Sequence, residues 1–164
     1  MKEIKLTRGK VSLVDDSDFE TLNQYKWFAA PDRKKFTPSF CAIRGGGSGN
    51  GVPTTYMHRV IMGLQHGDSE IMVDHINHNP LDNRRKNLRI CTRSQNLRNG
   101  RSHQDSVSRF KGVSWHAKAK KWQVSIYING KSKFLGLFIL EKEAARAYDE
   151  EAVIIFEEFA NPNF

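Results

Sequence analysis

The sequence has 164 residues, 38% of them hydrophobic, which is enough for one ordinary domain or two small ones around a modest core. Lys and Arg number 26 against 18 Asp and Glu, and the resulting net charge of +8 favours a polyanionic partner such as nucleic acid. A solvated basic surface is the alternative explanation of that charge. No run of about 18 apolar residues is present, and the N-terminus lacks the apolar core of a signal peptide, so we expect an intracellular protein without membrane segments.

The N-terminal block, residues 1–54, combines short strand-like runs with one helix. The run KLTRGKVSLV is typical of short strands. Ser17 and Glu20 have the spacing of a capping box, which predicts a helix that begins at Ser17. Residues 39–44 are a further strand candidate. The run GGGSGNG, residues 45–51, lacks the Lys-Ser/Thr ending of a nucleotide-binding loop, so we interpret it as a flexible connector.

The second block, residues 55–100, predicts a helix, then a hairpin and a second short helix. The run YMHRVIM predicts the first helix. The runs IMVDHI and NLRICT predict two strands, and the segment NHNPLDNRRK between them is rich in turn residues. Thr92 and Gln95 have capping-box spacing, so we expect a helix from residue 93 to about residue 99.

This order of elements can bring Asp74 and His75, at the end of the first strand, close to Asn96 on the helix. His75, with an ordinary pKa of about 6.5, can act as a general base that accepts a proton from water. Asp74 and the amide oxygen of Asn96 are hard oxygen donors suited to Mg²⁺ or Mn²⁺. From these residues alone, an ordinary strand end is an equally good interpretation. The basic side chains around them are expected to hold a DNA backbone; they are Arg84, Arg85, Lys86, Arg89, Arg93 and Arg98.

His75, Asn87 and Asn96, with Asp74 directly before the histidine, resemble the HNH endonuclease motif in the variant whose last histidine is asparagine, as in phage and intron-encoded homing endonucleases. The runs YMHRVIMG and DHINHNPLDNRRKNLRICTRSQNLRN follow that pattern. The resemblance implies a ββα-metal module with His75 as general base and with Asp74 and Asn96 as metal ligands. It also implies that Asn87 bonds the backbone that orients His75. Because asparagine replaces a nitrogen ligand, the variant favours Mg²⁺ or Mn²⁺ over zinc.

The C-terminal block, residues 110–164, follows a polar linker at residues 101–109 and predicts three strands and a helix. Residues 121–128 alternate between apolar and polar, Asn129-Gly130 is a strong hairpin signal, and residues 133–139 predict the return strand. From residue 141, small and apolar residues recur at helical spacing. Three strands on one helix leave one sheet face open, either to the major groove of DNA or simply to solvent. The candidate contacts are Lys111, Lys118, Lys121, Lys133, Trp115 and His116.

The same block resembles the plant APETALA2/ethylene-response DNA-binding domain, which is also found in phage homing endonucleases. The matching runs are FKGV, KW, GK, LGLF, EAARAYD and the terminal NF. The resemblance implies DNA contacts from Lys111, Trp115 and Lys133. Ser114 and His116 stand where the plant domains carry base-contacting arginines, so the plant target sequence does not transfer.

These patterns predict an α+β protein with a nuclease domain in residues 1–100, its core motif in residues 55–100, and a DNA-binding domain in residues 110–164. In the second domain, a three-stranded antiparallel sheet packs on one helix. The predicted activity is metal-dependent hydrolysis of phosphodiester bonds in double-stranded DNA by a site-preferring, nicking homing endonuclease. The alternatives are a non-catalytic, sequence-specific DNA-binding regulator and a binder of structured RNA. We expect no obligatory protein partner and a location in the cytoplasm of a phage-infected bacterial host.

Overall fold

A computed structural model describes residues 1–31, 39–45, 52–65, 68, 70–99 and 107–164, without the side chain of Arg98. The chain divides into two units, Met1–Arg93 and Ser94–Phe164. Most of the glycine-rich connector and most of the predicted linker lie outside the described residues. Within the described part, no helix combines the length and the apolar character needed to cross a membrane. Helices and strands are mixed along the chain, as expected of an α+β protein.

The first unit contains three small antiparallel sheets and two helices among its described residues. The sheets pair β1 with β2, β6 with β7, and β3, β4 and β5 in that order. The elements are β1 (Lys2–Lys5), β2 (Val11–Val14), α1 (Asp16–Asn23), β3 (Phe28–Pro31), β4 (Phe40–Arg44), β5 (Thr55–Tyr56), α2 (Met57–Ile61), β6 (Met72–His75) and β7 (Leu88–Cys91). A short 3-10 helix, Arg85–Asn87, precedes β7.

The core of the first unit is built mainly by residues that precede residue 55. Trp27 is 1% exposed, and its indole nitrogen donates a hydrogen bond to the carbonyl of Leu22 at 2.8 Å. The two N-terminal strands alternate buried and exposed side chains, so each contributes one face to this core. The buried apolar residues are Ile4, Leu6, Val14, Leu22, Trp27, Ala29, Ala42, Met57, Ile61 and Leu88.

The start of helix α1 differs from the capping-box prediction. The helix begins at Asp16 with Asp15 as N-cap residue, so Ser17 lies in the first turn and does not cap the helix. The Asp15 carboxylate makes no capping bond and instead accepts a hydrogen bond from the backbone N–H of Arg85 at 2.7 Å. Asp16 and Asp18 place negative charge in the first turn, where it interacts favourably with the helix dipole. The Asp15 carboxylate therefore bonds a segment far away in the sequence and does not cap the helix.

The hairpin β6–β7 is the predicted one, and its loop is bonded to strand β2. The pairing sets Asp74 opposite Arg89 and His75 opposite Leu88. Leu13 of β2 donates a backbone hydrogen bond to Leu81 and accepts one from Asn83, both at 2.8 Å. The loop that follows His75 is therefore fixed on one side by the N-terminal part of the chain.

The second unit contains the predicted three-stranded sheet and helix. Its elements are α3 (Arg93–Arg98), whose first residue ends the first unit, β8 (Val113–His116), β9 (Lys121–Ile128), β10 (Lys131–Phe138) and α4 (Glu141–Phe156). The strands are antiparallel in the order β10-β9-β8, and Asn129 and Gly130 both have positive φ, at 48° and 82°. This backbone is the one that an Asn-Gly hairpin turn favours. The hairpin predicted from the sequence is therefore confirmed.

Helix α4 packs closely on this sheet because its contact face carries small side chains. Ala144, Ala145 and Ala152 are buried together with Tyr148. Gly112 has φ of 76°, and a Cβ there would lie 2.0 Å from the Tyr148 ring. Glycine is therefore required at position 112, both for its backbone conformation and for the space that Tyr148 occupies.

Trp27→Ala should destabilise the first unit strongly because it removes the largest fully buried side chain of that unit. We expect the free energy of unfolding to fall by about 3–5 kcal/mol. Urea unfolding followed by far-UV circular dichroism measures this loss. Phe28→Ala is the matched control, since Phe28 is 39% exposed and its removal should cost less. Equal losses in the two variants would contradict this account of the core.

Candidate active site

His75 lies at the end of β6 with its ring held from two sides. The side chain is buried, at 9% exposure. Its Nε2 atom lies 3.2 Å from Oδ1 of Asn83, and the ring of His58 from α2 meets it edge-on, with the centroids 5.1 Å apart. Asn83 is itself fully buried. The imidazole therefore has one orientation, as a general base needs.

His58 is kept neutral by its surroundings. Burial, together with the positive charges that His75 and Arg59 can carry, lowers its pKa from 6.5 to about 3. A neutral His58 presents an uncharged ring to His75 at physiological pH. The ring contact with His75 is the structural role that the fold provides for His58.

Asp74 precedes His75 in β6 and lies opposite Arg89 of β7. Its carboxylate is 7% exposed and accepts hydrogen bonds at Oδ2 from Nε and Nη2 of Arg89, at 2.9 and 2.7 Å. A buried carboxylate needs such compensation, because burial without a cation is strongly unfavourable. Arg89, predicted to bind DNA, thus neutralises the candidate metal ligand.

Asn87 closes the loop between the two strands. Its Oδ1 accepts a hydrogen bond from the backbone N–H of Asn77 at 3.0 Å, and its Nδ2 donates to the carbonyl of Asp82 at 2.7 Å. In addition, the N–H of Ile76 donates to the Asn87 carbonyl at 3.0 Å. These bonds reach the backbone directly after His75, in keeping with the orienting role that the resemblance implies.

Asp82 and Asn83, predicted as turn residues, are almost completely buried. Asp82 accepts two hydrogen bonds from Arg84, at 2.7 and 2.6 Å, and a third from Asn77 at 2.8 Å. The bonds from Arg84 are the main cause that lowers the pKa of the Asp82 carboxyl. Asp82 is therefore a charged structural residue that orders the loop.

The predicted DNA-binding arginines of the first unit are largely engaged with carboxylates. Arg84 pairs with Asp82, and Arg85 pairs with Asp18 at 2.7 Å. Together with Arg89 and Asp74, these pairs use three of the arginines to stabilise the loop and the hairpin. Arg93 is exposed, and the side chain of Arg98 lies outside the described residues. A role of these arginines in DNA binding stays a prediction.

The donors of the candidate metal site suit a hard divalent cation. Asp74 offers a buried carboxylate in the first unit, whereas Asn96 lies on α3 in the second unit, and its part in the site stays a prediction. Among the described residues, no group of three or more His, Cys, Asp or Glu side chains could hold a metal ion.

The open face of the C-terminal sheet is polar and basic and differs in part from the predicted set of contacts. The register pairs Ser114 with Gln123 and His116 with Lys121 on this face. Trp115 pairs with Trp122 on the opposite side, which also carries the buried Val113. The alternation of side chains along a strand decides this placement.

Two lysines that were predicted to contact DNA, Lys111 and Lys133, are not placed as exposed residues of the open sheet face. Lys133 lies opposite Ile126 on the helix side, and its Nζ pairs with Glu151 of α4 at 2.6 Å. Lys111 is half-buried, and burial lowers its pKa. Their contacts with DNA, like those of Trp115, stay predictions.

Two residues that hold the site were missed by the sequence reasoning. Asn83 looked like an ordinary turn residue, and Ser12 lies far away in β2, yet Asn83 Nδ2 donates to Ser12 Oγ at 2.7 Å. The sequence gives no signal for this pair, since 71 positions separate the two residues. A weak signal exists for Asn83, because an asparagine in a turn can be buried when its amide bonds to the backbone.

A comparison with protein families assigns residues 55–98 to a family described as HNH endonuclease. The chain contains an HNH endonuclease domain. The protein is accordingly an enzyme. Domains of this class are generally dependent on a divalent metal ion. The HNH domain includes α2, the hairpin β6–β7 and α3, and therefore all four predicted motif residues, which are Asp74, His75, Asn87 and Asn96.

Two viral proteins are similar to the chain. A protein of Acanthamoeba polyphaga mimivirus, named as an uncharacterized HNH endonuclease, is 28% identical over 165 residues, which cover 95% of this chain and 76% of that protein. Protein 3.8 of Escherichia phage T7 is 32% identical over 59 residues, which cover 36% of this chain and 49% of the phage protein. No solved structure matches the chain. The family match ends at residue 98, so the likeness of the C-terminal block to APETALA2 domains stays a prediction.

Acid should destabilise the HNH domain partly through His58. Because the pKa of His58 is about 3 in the folded state and about 6.5 when unfolded, the unfolded state binds the extra proton between these values. The stability that neutral His58 allows is therefore complete above pH 6.5 and is lost progressively as the pH falls towards 3. His58→Gln should lose less melting temperature than the wild type between pH 7 and pH 5. Parallel losses in the two proteins would contradict this role of His58.

Proposed function

We propose that the protein is a divalent-metal-dependent endonuclease that hydrolyses phosphodiester bonds of double-stranded DNA. The observation that carries the proposal is the buried pair Asp74 and His75 at the end of β6, inside the HNH domain. A carboxylate and an imidazole at consecutive positions of one strand provide a metal ligand and a general base within one site. The net charge of +8 supports DNA as the polyanionic substrate.

In this mechanism His75 accepts the proton of the water that attacks phosphorus. Asp74 and the amide oxygen of Asn96 would hold Mg²⁺ or Mn²⁺, as in a ββα-metal site. When bound, the cation supplies positive charge for the phosphate and for the leaving oxygen. Asn87 keeps the loop after His75 in place through its two backbone bonds. Arg89 pairs with Asp74, so its guanidinium and a cation bound there would compete for the same carboxylate.

The second unit is proposed to bind DNA in the manner of an APETALA2-type domain, with the sheet in the major groove. Its charges are segregated along the chain. Residues 107–140 contain seven basic and no acidic residues, whereas residues 141–164, which form α4 and the C-terminus, contain seven acidic and two basic residues. Such a distribution directs the sheet, and not the helix, towards a polyanion.

The biological role that fits these two activities is that of a site-preferring homing endonuclease. A single His75 site per chain predicts that each binding event cuts one strand, unless the protein dimerises. The proposed location remains the cytoplasm of a phage-infected bacterial host. On this proposal the C-terminal sheet selects or retains the DNA, and the HNH domain cuts it.

His75→Ala should abolish most of the nuclease activity. Supercoiled plasmid incubated with Mg²⁺ or Mn²⁺ should first give open circles and only later linear DNA. Removing the general base should lower the rate about 100-fold or more. His78→Asn is the matched control, because His78 is a histidine of the same loop with φ of 61°, a conformation that asparagine tolerates.

Three results would contradict this assignment. His75→Ala that cuts as fast as the wild type would exclude His75 as the base. Cutting in the presence of a metal chelator would exclude the divalent cation. Wild-type protein that binds DNA tightly but never cuts it would favour a DNA-binding regulator without catalysis.

Lys121→Ala should weaken binding of duplex DNA, because Lys121 lies on the open face of the C-terminal sheet. The logarithm of the binding constant, plotted against the logarithm of salt concentration, should lose about one unit of slope. The measurement uses the His75→Ala protein, so that the DNA remains intact. Lys142→Ala on α4 is the matched control and should leave the slope unchanged. Equal effects of the two substitutions would contradict a directed sheet surface, and tighter binding of structured RNA would favour the RNA-binding alternative.

A further inference from the structure

Asn83 connects the candidate base to strand β2 through a chain of buried polar groups. Its Oδ1 faces Nε2 of His75 at 3.2 Å, and its Nδ2 lies 2.7 Å from Oγ of Ser12. Both Asn83 and Ser12 are 0% exposed. Groups so deeply buried have to satisfy their hydrogen bonds with one another, because water cannot reach them.

The direction of these hydrogen bonds follows from neighbours that can only accept. The Ser12 hydroxyl lies 3.2 Å from the carbonyl of Leu81 and 3.2 Å from Sδ of Met57, and neither of these groups can donate. The Ser12 hydrogen therefore points to one of them, and its oxygen accepts from the amide nitrogen of Asn83. The same nitrogen lies 3.4 Å from the carbonyl of Pro80, which is also only an acceptor.

The reverse orientation of the Asn83 amide is unfavourable for two reasons. It would bring the amide oxygen against the Pro80 carbonyl, so that two acceptors would face each other. It would also draw the Ser12 hydrogen away from both of its acceptors. The amide oxygen of Asn83 thus faces His75, and only a protonated Nε2 can donate to it.

We propose that Asn83, oriented by Ser12, holds His75 in the tautomer that carries its proton on Nε2, so that Nδ1 is the atom that accepts a proton from the attacking water. Asn83 and Ser12 are positioning residues in this proposal, since they act through His75. The second half of the statement rests on the proposed nuclease function. The first half, the tautomer, is a property of the folded protein and can be measured without any cleavage.

This assignment makes the N-terminal segment part of the active site. Ser12 lies in β2, well before residue 55, where the HNH domain begins. The backbone of its neighbour Leu13 bonds Leu81 and Asn83 on either side of the same turn. Strand β2 therefore fixes the backbone of the loop through Leu13 and the orientation of the Asn83 side-chain amide through Ser12.

The tautomer can be read from the imidazole nitrogens of His75 by NMR. Wild-type protein labelled with ¹⁵N-histidine is studied without added metal at a pH at which His75 is neutral, and His75→Gln identifies its signals. Two-bond ¹H–¹⁵N correlations distinguish Nε2, which couples to both ring C–H protons, from Nδ1. We expect Nε2 to have the chemical shift of a protonated nitrogen and Nδ1 that of an unprotonated one. A protonated Nδ1 in the neutral ring would overturn the proposal.

Substitutions at Asn83 and Ser12 test the cause of this preference. Asn83→Leu should give averaged shifts from both tautomers and lower kcat about 10- to 100-fold, with little change in KM. Asn83→Asp keeps an oxygen opposite Nε2 and should retain the Nε2-protonated form. Ser12→Ala leaves Asn83 in place and should change the imidazole shifts and kcat in the same direction by a smaller amount. This second variant tests the proposal if Asn83→Leu fails to fold. Wild-type shifts and wild-type kcat in both Asn83→Leu and Ser12→Ala would overturn the proposal.

The plasmid assay separates this proposal from the nuclease function. Wild-type protein that cuts DNA but has a protonated Nδ1 overturns the tautomer and leaves the nuclease standing. Wild-type protein that never cuts DNA but has a protonated Nε2 supports the positioning by Asn83 and overturns the catalytic part assigned to Nδ1.

Discussion

The arrangement of the active site depends on the pairing of strand β2 with the loop that follows His75. Two backbone hydrogen bonds of Leu13 fix this loop at Leu81 and Asn83, and Ser12 bonds the Asn83 amide from the same strand. The loop contains many polar groups, and its buried members need partners that the hairpin alone does not supply. Residues before position 55 therefore hold the loop of the HNH domain in place. They also supply most of the buried core of the first unit.

Several charged residues of the first unit stabilise its fold through ion pairs, in addition to any part that they play in DNA binding. Buried or partly buried carboxylates at positions 74 and 82 each bind an arginine, and Asp18 binds a third from the helix α1. Removing one partner of such a pair would leave an unpaired buried charge, which is strongly unfavourable. These carboxylates thus hold the three arginines in defined positions. Because Arg89 and a divalent cation would both be attracted to Asp74, metal binding and the position of this guanidinium are expected to be coupled.

In the second unit, the alternation of side chains along the strands separates a packing face from an open face. Val124 and Ile126 point to helix α4, whereas Gln123 and Lys121 point away from it. The acidic residues lie mainly on the helix, which leaves the sheet basic. The same pattern explains why Trp115 and Lys133 lie on the helix side, although both were expected on the DNA-facing surface.

The sequence by itself determined the elements whose signals are local. The hairpin of IMVDHI and NLRICT, the Asn-Gly turn and helix α4 were predicted because periodicity and turn residues act over a few positions. The HNH domain could likewise be identified from the motif. Only the tertiary structure decided that Asp15 bonds Arg85 instead of capping α1, that Arg89 pairs with Asp74, and that Ser12 and Asn83 orient His75. These contacts join residues that are far apart in the sequence. They form because buried polar groups need partners, and no local sequence pattern shows which residues will be buried together.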